Sequence, residues 1–199
     1  RYRMMLVTSS GRFAAVRDHT AIILQDAPGA VVHLSHNLVA PEWRRTGLAA
    51  WMRALPVTTA RNALAAQRRS PDEPITLVGE MEHPDLSDPA TLVRLTAYER
   101  AGYKKVDPAR VGYLQPDFRA HHEIDGSGGP QPIPLALIVR RVGREAEDVI
   151  SGLEVRRIAA SLYKMYGAGF RAQDMEVVHK SLESYPPPEE SVLLIPPTT

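Results

Sequence analysis

The first 39 residues alternate between β-prone runs and clusters that cannot continue a strand, and this pattern most narrows the fold. Residues 4–8 and 13–16 are apolar and β-prone, and Ser9-Ser10-Gly11-Arg12 between them reads as a turn. Asp18-His19 reads as a second turn before residues 20–24, and Asp26-Ala27-Pro28-Gly29 as a third before a strand over 31–39. Short connections between successive strands imply an antiparallel meander. The texture then changes. Residues 47–55 are helical in composition, and Pro56, lacking a backbone donor, is expected to end or kink that helix. Thr58 or Thr59 can cap a second helical stretch through Arg69, which Ser70-Pro71 ends. A strand over 75–82 follows, and then Asp88-Pro89 gives an N-cap and first-turn proline to a helix that Gly102 stops. Strands near 111–114 and 135–142 flank a polar, glycine-rich loop over 120–131. Beyond it, Val149, Leu153, Ile158, Leu162 and Met165 repeat at helical intervals, with a shorter helix over 173–182 and a proline-rich tail over 191–199.

The expectation is a mixed α/β domain over 1–143 and a C-terminal helical extension over 144–199, as 199 residues suggest for one domain plus an appendage. Composition excludes several classes. There is no cysteine, hence no disulfide framework, thiolate zinc site or cysteine nucleophile. The net charge of +1 gives no whole-chain case for nucleic acid or an anionic membrane. The longest clean apolar run, 135–139, is far short of the ~20 residues of a membrane helix. With no secretory pattern at its start, the chain is expected in the cytoplasm; its first residue is Arg1 rather than Met, which leaves open whether an N-terminal piece is missing.

The segment Leu38-Val39-Ala40-Pro41-Glu42-Trp43-Arg44-Arg45-Thr46-Gly47-Leu48-Ala49 carries the most chemistry. It leaves a strand, turns, and enters a helix whose unpaired N–H groups and positive dipole end suit a phosphate. Arg44-Arg45-Thr46-Gly47-Leu48-Ala49 resembles the Arg/Gln-x-x-Gly-x-Gly/Ala acyl-CoA signature of the GCN5-related N-acetyltransferase (GNAT) superfamily, and Val39-Ala40-Pro41-Glu42-Trp43 its usual lead-in. Tyr98-Glu99-Arg100-Ala101-Gly102-Tyr103 resembles the Tyr-Glu-x-x-Gly-aromatic segment closing that family's core. The resemblance covers residues 3–142. It departs from the family in lacking the usual N-terminal helices, in Pro56, and in Thr91, which stands where an asparagine is common.

The resemblance implies a GNAT-like, mostly antiparallel sheet with flanking helices, and acetyl-CoA or another acyl-CoA as co-substrate. The pyrophosphate would take backbone N–H groups from Arg45 to Ala49 beside Arg44, with pantetheine along main chain at Leu38 and Val39 and the Val39 N–H polarising the thioester carbonyl. An amine, small-molecule or peptide, would attack directly. Glu80 and Glu82, two apart on one strand, share a face and are candidate bases; His36 and His33 are further candidates, and Tyr98 is the candidate acid for the leaving thiolate. A homodimer is left open. The competing readings are a GNAT-fold regulatory module that binds CoA without turnover, and a phosphate- or RNA-binding domain resting on arginines alone. His121-His122-Glu123 and His83-Pro84-Asp85 lack the spaced partners of a metal site and read as polar loops.

Overall fold

The computed structural model describes residues 1–83 and 88–199, which form two compact units: 1–79 with 140–143, and 80–139 with 144–199. The division falls in the strand after the first long helix rather than at 143/144. The chain is mixed α/β, and among the described strand pairs all but one are antiparallel.

In the first unit, β1 (Tyr2–Ser9) and β2 (Arg12–Ile23) form a hairpin closed by Ser10 and Gly11, both at positive φ (47° and 75°). Two successive left-handed residues make the tight turn whose twist matches its strands. β2 then pairs antiparallel with β3 (Ala30–Val39). No turn breaks β2 at Asp18-His19. Instead, β3 carries one extra residue there, so Ser35 and His36 together face Asp18, between the pairs Arg17–Asn37 and His19–Leu34. After a 3₁₀ turn at Pro41–Trp43, α1 (Leu48–Ala66) crosses to β4 (Ile75–Met81), which pairs parallel with β3 from Ala30–Ile75 to Leu34–Gly79. At the far edge of β4, Val142 N–H donates to Ile75 C=O.

Pro56 does not end α1. It is buried in a stripe with Met52, Ala60, Ala63 and Leu64, spaced so that one helix face packs on the sheet. An interior proline costs about 3 kcal/mol. Burial of that whole face offsets it, which local propensity alone could not reveal.

His19 joins α1 to β2 through Nε2, 2.8 Å from Thr59 Oγ1. It is fully buried, and burial, then the Arg17 charge, push its pKa down from 6.5 to about 4. The unfolded chain therefore takes up this proton first: stability is full above pH 6.5 and falls as the pH drops to about 4. Tm is expected to fall over that window by at least about 2–4 °C, the equivalent of about 1 kcal/mol, and the slope to flatten in His19→Asn. An unchanged slope in the variant would remove His19 as its source.

In the second unit, α2 (Pro89–Glu99) starts at Asp88, whose carboxylate accepts from Ala90 and Thr91 N–H and from the Thr91 hydroxyl. Its end is a Schellman motif: Tyr103 N–H donates to Tyr98 C=O and Gly102 N–H, at φ 82°, to Glu99 C=O. β5 (Lys104–Val106), β6 (Tyr113–Gln115), α3 (His121–Gly126) and β7 (Ile133–Arg141) follow, so a short helix occupies part of the expected loop over 120–131. Then come β8 (Val149–Ser151), α4 (Gly152–Tyr166), α5 (Ala172–Ser181) and β9 (Ser191–Ile195). β9 lies inside the tail expected to be irregular, and it pairs antiparallel with both β5 and β8. Val155, Ile158, Leu162 and Tyr163 of α4 are buried in this unit's core, and Arg156 donates to the carbonyls of Leu182 and Tyr185. None of the helices is long and apolar enough to cross a membrane, among the described residues.

Candidate functional site

β3 outruns its parallel partner. Its pairing with β4 ends at Leu34, yet it continues to Val39 with β2 on one side only, among the described residues. Ala40 N–H donates to Ala14 C=O, which turns residue 40 toward β2. Alternation then turns the main chain of Val39 and Asn37 to the open edge and that of Leu38 to β2. The Val39 carbonyl accepts from Arg44 Nε at 3.3 Å on that edge. Of the two main-chain positions expected to meet pantetheine, Val39 thus faces the open edge and Leu38 faces β2, and Asn37 shares the open edge with Val39.

The loop after β3 is built for a backbone site. Arg45 (φ 66°) and Gly47 (φ 87°) are both left-handed, and Gly47 is the N-cap of α1 with no side chain to cap it. Ala50 and Trp51 N–H groups both return to Gly47 C=O, whereas no described group accepts from the N–H groups of Arg45, Thr46, Gly47, Leu48 or Ala49. The Thr46 hydroxyl donates to Trp43 C=O at 2.7 Å and so holds the loop closed. These donors lie at the positive end of a 19-residue helix, with the exposed Arg44 and Arg45 beside them. Both tryptophans of the chain, Trp43 and Trp51, flank the loop and line, with Thr46, Gly47 and Leu48, a cleft of about 480 Å³. Trp43 is the aromatic of the lead-in to the loop, whereas nothing in the spacing points to Trp51; the cleft arises because the β1–β2 hairpin approaches the first turn of α1.

His36 sits in the bulge of β3. Asp18, nearly buried, accepts from its backbone N–H at 2.8 Å and meets its Nδ1 at 3.1 Å, with Tyr2 Oη donating to the other carboxylate oxygen at 3.2 Å. The imidazole is 85% exposed, so its ring is held from behind and its Nε2 faces outward. His33 is buried, its Nδ1 3.3 Å from Ser35 Oγ.

The charge balance of the first unit differs sharply from that of the whole chain. It carries twelve arginines and no lysine against five carboxylates, net +7, whereas the second unit has twelve basic and eighteen acidic residues, net −6. A net charge of +1 conceals this asymmetry, and the unit with the loop is the one that attracts anions.

The other three expected site residues lie in the second unit. Glu80 accepts from the hydroxyls of Tyr113 and Tyr166 (2.5 Å to the latter) and from Gln115 Nε2 at 3.2 Å. Burial, then the Glu80 charge, push both tyrosines above their usual range. Glu82 does not share this setting. It lies past the end of β4, 68% exposed, 2.6 Å from Arg94 Nη2, because the strand stops at Met81 and the alternation stops with it. Tyr98 is half-buried, its ring edge-on to Tyr103 at 5.0 Å, which is the side-chain contact that accompanies a Schellman motif. Its hydroxyl has no partner among the described residues. Thr91 is buried and its hydroxyl donates to Asp88, so it holds the capping carboxylate of α2 where an asparagine was common in the resemblance. Of His83-Pro84-Asp85, residues 84 and 85 lie outside those described.

No family model matches the chain, and no curated protein matches it. Solved structures similar to it include a GNAT-family protein from Bacteroides thetaiotaomicron (13% identity, TM-score 0.42, 70% of this chain and 61% of that one). The ribosomal-protein-S18-alanine N-acetyltransferase from Escherichia coli is similar at 15% identity and TM-score 0.39, over 71% and 70% of the two chains. A tandem GNAT protein from the clavulanic acid biosynthesis pathway is similar at 18% identity and TM-score 0.41, over 92% of this chain and 49% of that one. The chain thus spans about three-fifths of the length of the Bacteroides protein. Likenesses this loose do not assign the chain to a family.

Proposed function

We propose that this chain binds an acyl-CoA at the Arg44–Ala49 loop and transfers the acyl group to an amine by direct attack. The observation that carries this is the run of five unaccepted N–H groups, Arg45 to Ala49, directly following a strand edge open at Val39. Loop donors suit a pyrophosphate. The Val39 N–H suits the carbonyl of the thioester that follows along that edge, where developing negative charge is stabilised by a fixed donor. His36 is the base that best fits, since Asp18 orients its ring and leaves one nitrogen outward. Glu80 is a weaker base candidate because its oxygens are engaged by three donors. The resemblance assigns Tyr98 the acid role, and its partnerless hydroxyl is consistent with that.

A second reading, a module that binds CoA without turnover, gains from the engagement of Glu80 and from the Glu82–Arg94 pair. Incubation with acetyl-CoA and a panel of amines, following thiol release, separates the two. Binding without release under every amine supports the second reading, and no binding removes both. For the enzyme, His36→Ala and Tyr98→Phe should each lower kcat at least about tenfold with acetyl-CoA affinity retained. Tyr98→Phe keeps the ring contact with Tyr103, so a loss of rate there is not a loss of fold. Full kcat in either variant would take that residue out of the chemistry.

A further inference from the structure

Arg17 is 1% exposed and lacks a counter-charge among the described residues. Its Nε and Nη1 are buried without a hydrogen-bond partner, and no described carboxylate pairs with it. His19, on the same face of β2, is fully buried, and its Nδ1 is likewise without a partner. The contact of His19 with Thr59 identifies that face as the one α1 covers. Asp18 lies on the opposite face, where His36 and Tyr2 occupy its oxygens, so it does not neutralise Arg17. With Nε2 accepting from the Thr59 hydroxyl, Nδ1 carries the imidazole proton and becomes a third donor.

A buried ion without a partner costs several kcal/mol. Elsewhere in this unit the half-buried Arg69 meets that cost with Glu73 and two backbone carbonyls. Arg17 has no such arrangement. A guanidinium flanked by an imidazole N–H is matched best by a carboxylate, whose two oxygens carry the negative charge and enough lone pairs for the Nε, Nη1 and Nδ1 donors.

Its position says which carboxylate. Arg17 stands directly opposite Asn37 in register, and Ala15 opposite Val39. The Val39 main chain is therefore about 7 Å along the strands and about 5 Å across from Arg17, and because its N–H faces the far edge of β3, a short acyl chain held there would run back over β3 to meet the arginine side chain. Resting on the acyl-transfer reading above, we propose that Arg17 and His19 form a carboxylate site beneath α1, and that it selects an acyl donor whose chain ends in a carboxylate, a dicarboxylic acyl-CoA of three or four carbons.

Calorimetry with succinyl-CoA, malonyl-CoA and acetyl-CoA tests this on the wild-type chain and on Arg17→Met. Replacing a buried charge by an apolar side chain of similar volume is neutral or stabilising, so this variant folds. Arg17→Lys serves as a second variant that keeps the charge without the planar fork. At least one dicarboxylic donor should bind the wild type about tenfold or more tighter than acetyl-CoA. Arg17→Met should lose that preference with acetyl-CoA affinity unchanged, and Arg17→Lys should retain part of it. Equal affinities in the wild type, or a preference surviving in Arg17→Met, would overturn the proposal. If no thioester binds at all, the acyl-transfer reading fails and the donor assignment with it. The carboxylate site is then read by Tm in succinate against sodium chloride at equal ionic strength. A rise confined to succinate and to the wild type upholds that site; equal responses in both salts, or in both proteins, overturn it.

Discussion

Gly47→Asp is expected to lower acetyl-CoA affinity roughly a hundredfold while leaving the chain folded. Gly47 caps α1 at φ 87°, and a Cβ built there meets nothing within 4 Å. The cost of the variant to folding is thus the left-handed backbone, about 1 kcal/mol, for which aspartate is among the more tolerant side chains. Its carboxylate, however, occupies the seat proposed for the pyrophosphate. Two unit charges 4 Å apart repel by about 4 kcal/mol at an effective dielectric of 20, and salt reduces this to the 2–3 kcal/mol that a hundredfold loss represents. Gly47→Asn separates charge from backbone, because it brings a similar shape without the charge and should lose far less. Calorimetry reads the affinity directly. Trp43 and Trp51 line the same cleft and are the chain's only tryptophans, so fluorescence excited selectively at tryptophan reports on this cleft. An affinity unchanged in folded Gly47→Asp would move the anion site elsewhere.

What was legible in the sequence were the features written in a few adjacent residues. Ser10-Gly11 announces a tight hairpin, Asp88-Pro89 a helix start, and Gly102 the helix stop that the Schellman bonds at Tyr98 and Glu99 realise. The Gly47 loop belongs to the same class, since a left-handed N-cap after two arginines is a local matter. Features decided across the fold were not legible. Pro56 reads as a helix end because its cost is local, while the burial of Met52, Ala60 and Leu64 that offsets it is tertiary. Asp18-His19 reads as a turn because both residues are polar, but the partner strand absorbs the irregularity in its own bulge and puts Asp18 to use beneath His36. β9 hides in a proline-rich tail, since Val192, Leu193 and Leu194 form a strand only once β5 and β8 offer their edges. Strand alternation assigned Glu80 and Glu82 one face, and that inference fails where the strand ends, at Met81.

Glu80 marks the largest gap between the two kinds of information. Its spacing suggested a base, whereas its surroundings make it an anchor: residues 33, 35 and 86 positions away along the chain converge on one carboxylate. Glu80→Leu is expected to destabilise the second unit by about 3–5 kcal/mol, since it strands two tyrosine hydroxyls and an amide that have lost their acceptor. Spread over a chain of this size, that is a fall in Tm of about 10 °C or more. Glu80→Gln keeps the shape and one acceptor oxygen but turns an NH₂ toward a donor, so an intermediate loss follows. The decisive comparison is a double-mutant cycle with Tyr166→Phe. Removing the hydroxyl along with the carboxylate deletes the stranded donor, so Glu80→Gln with Tyr166→Phe should cost at least about 1 kcal/mol less than the sum of the two single changes. The tyrosines add a pH signature. Their raised folded pKa values keep them neutral in the fold while the unfolded chain's tyrosines ionise near 10, so stability is full below that pH and falls above it. That alkaline loss should shrink when Tyr113 and Tyr166 are both phenylalanine. Strict additivity in the cycle would mean that the carboxylate and the hydroxyl do not depend on each other, and Glu80 would return to the list of candidate bases.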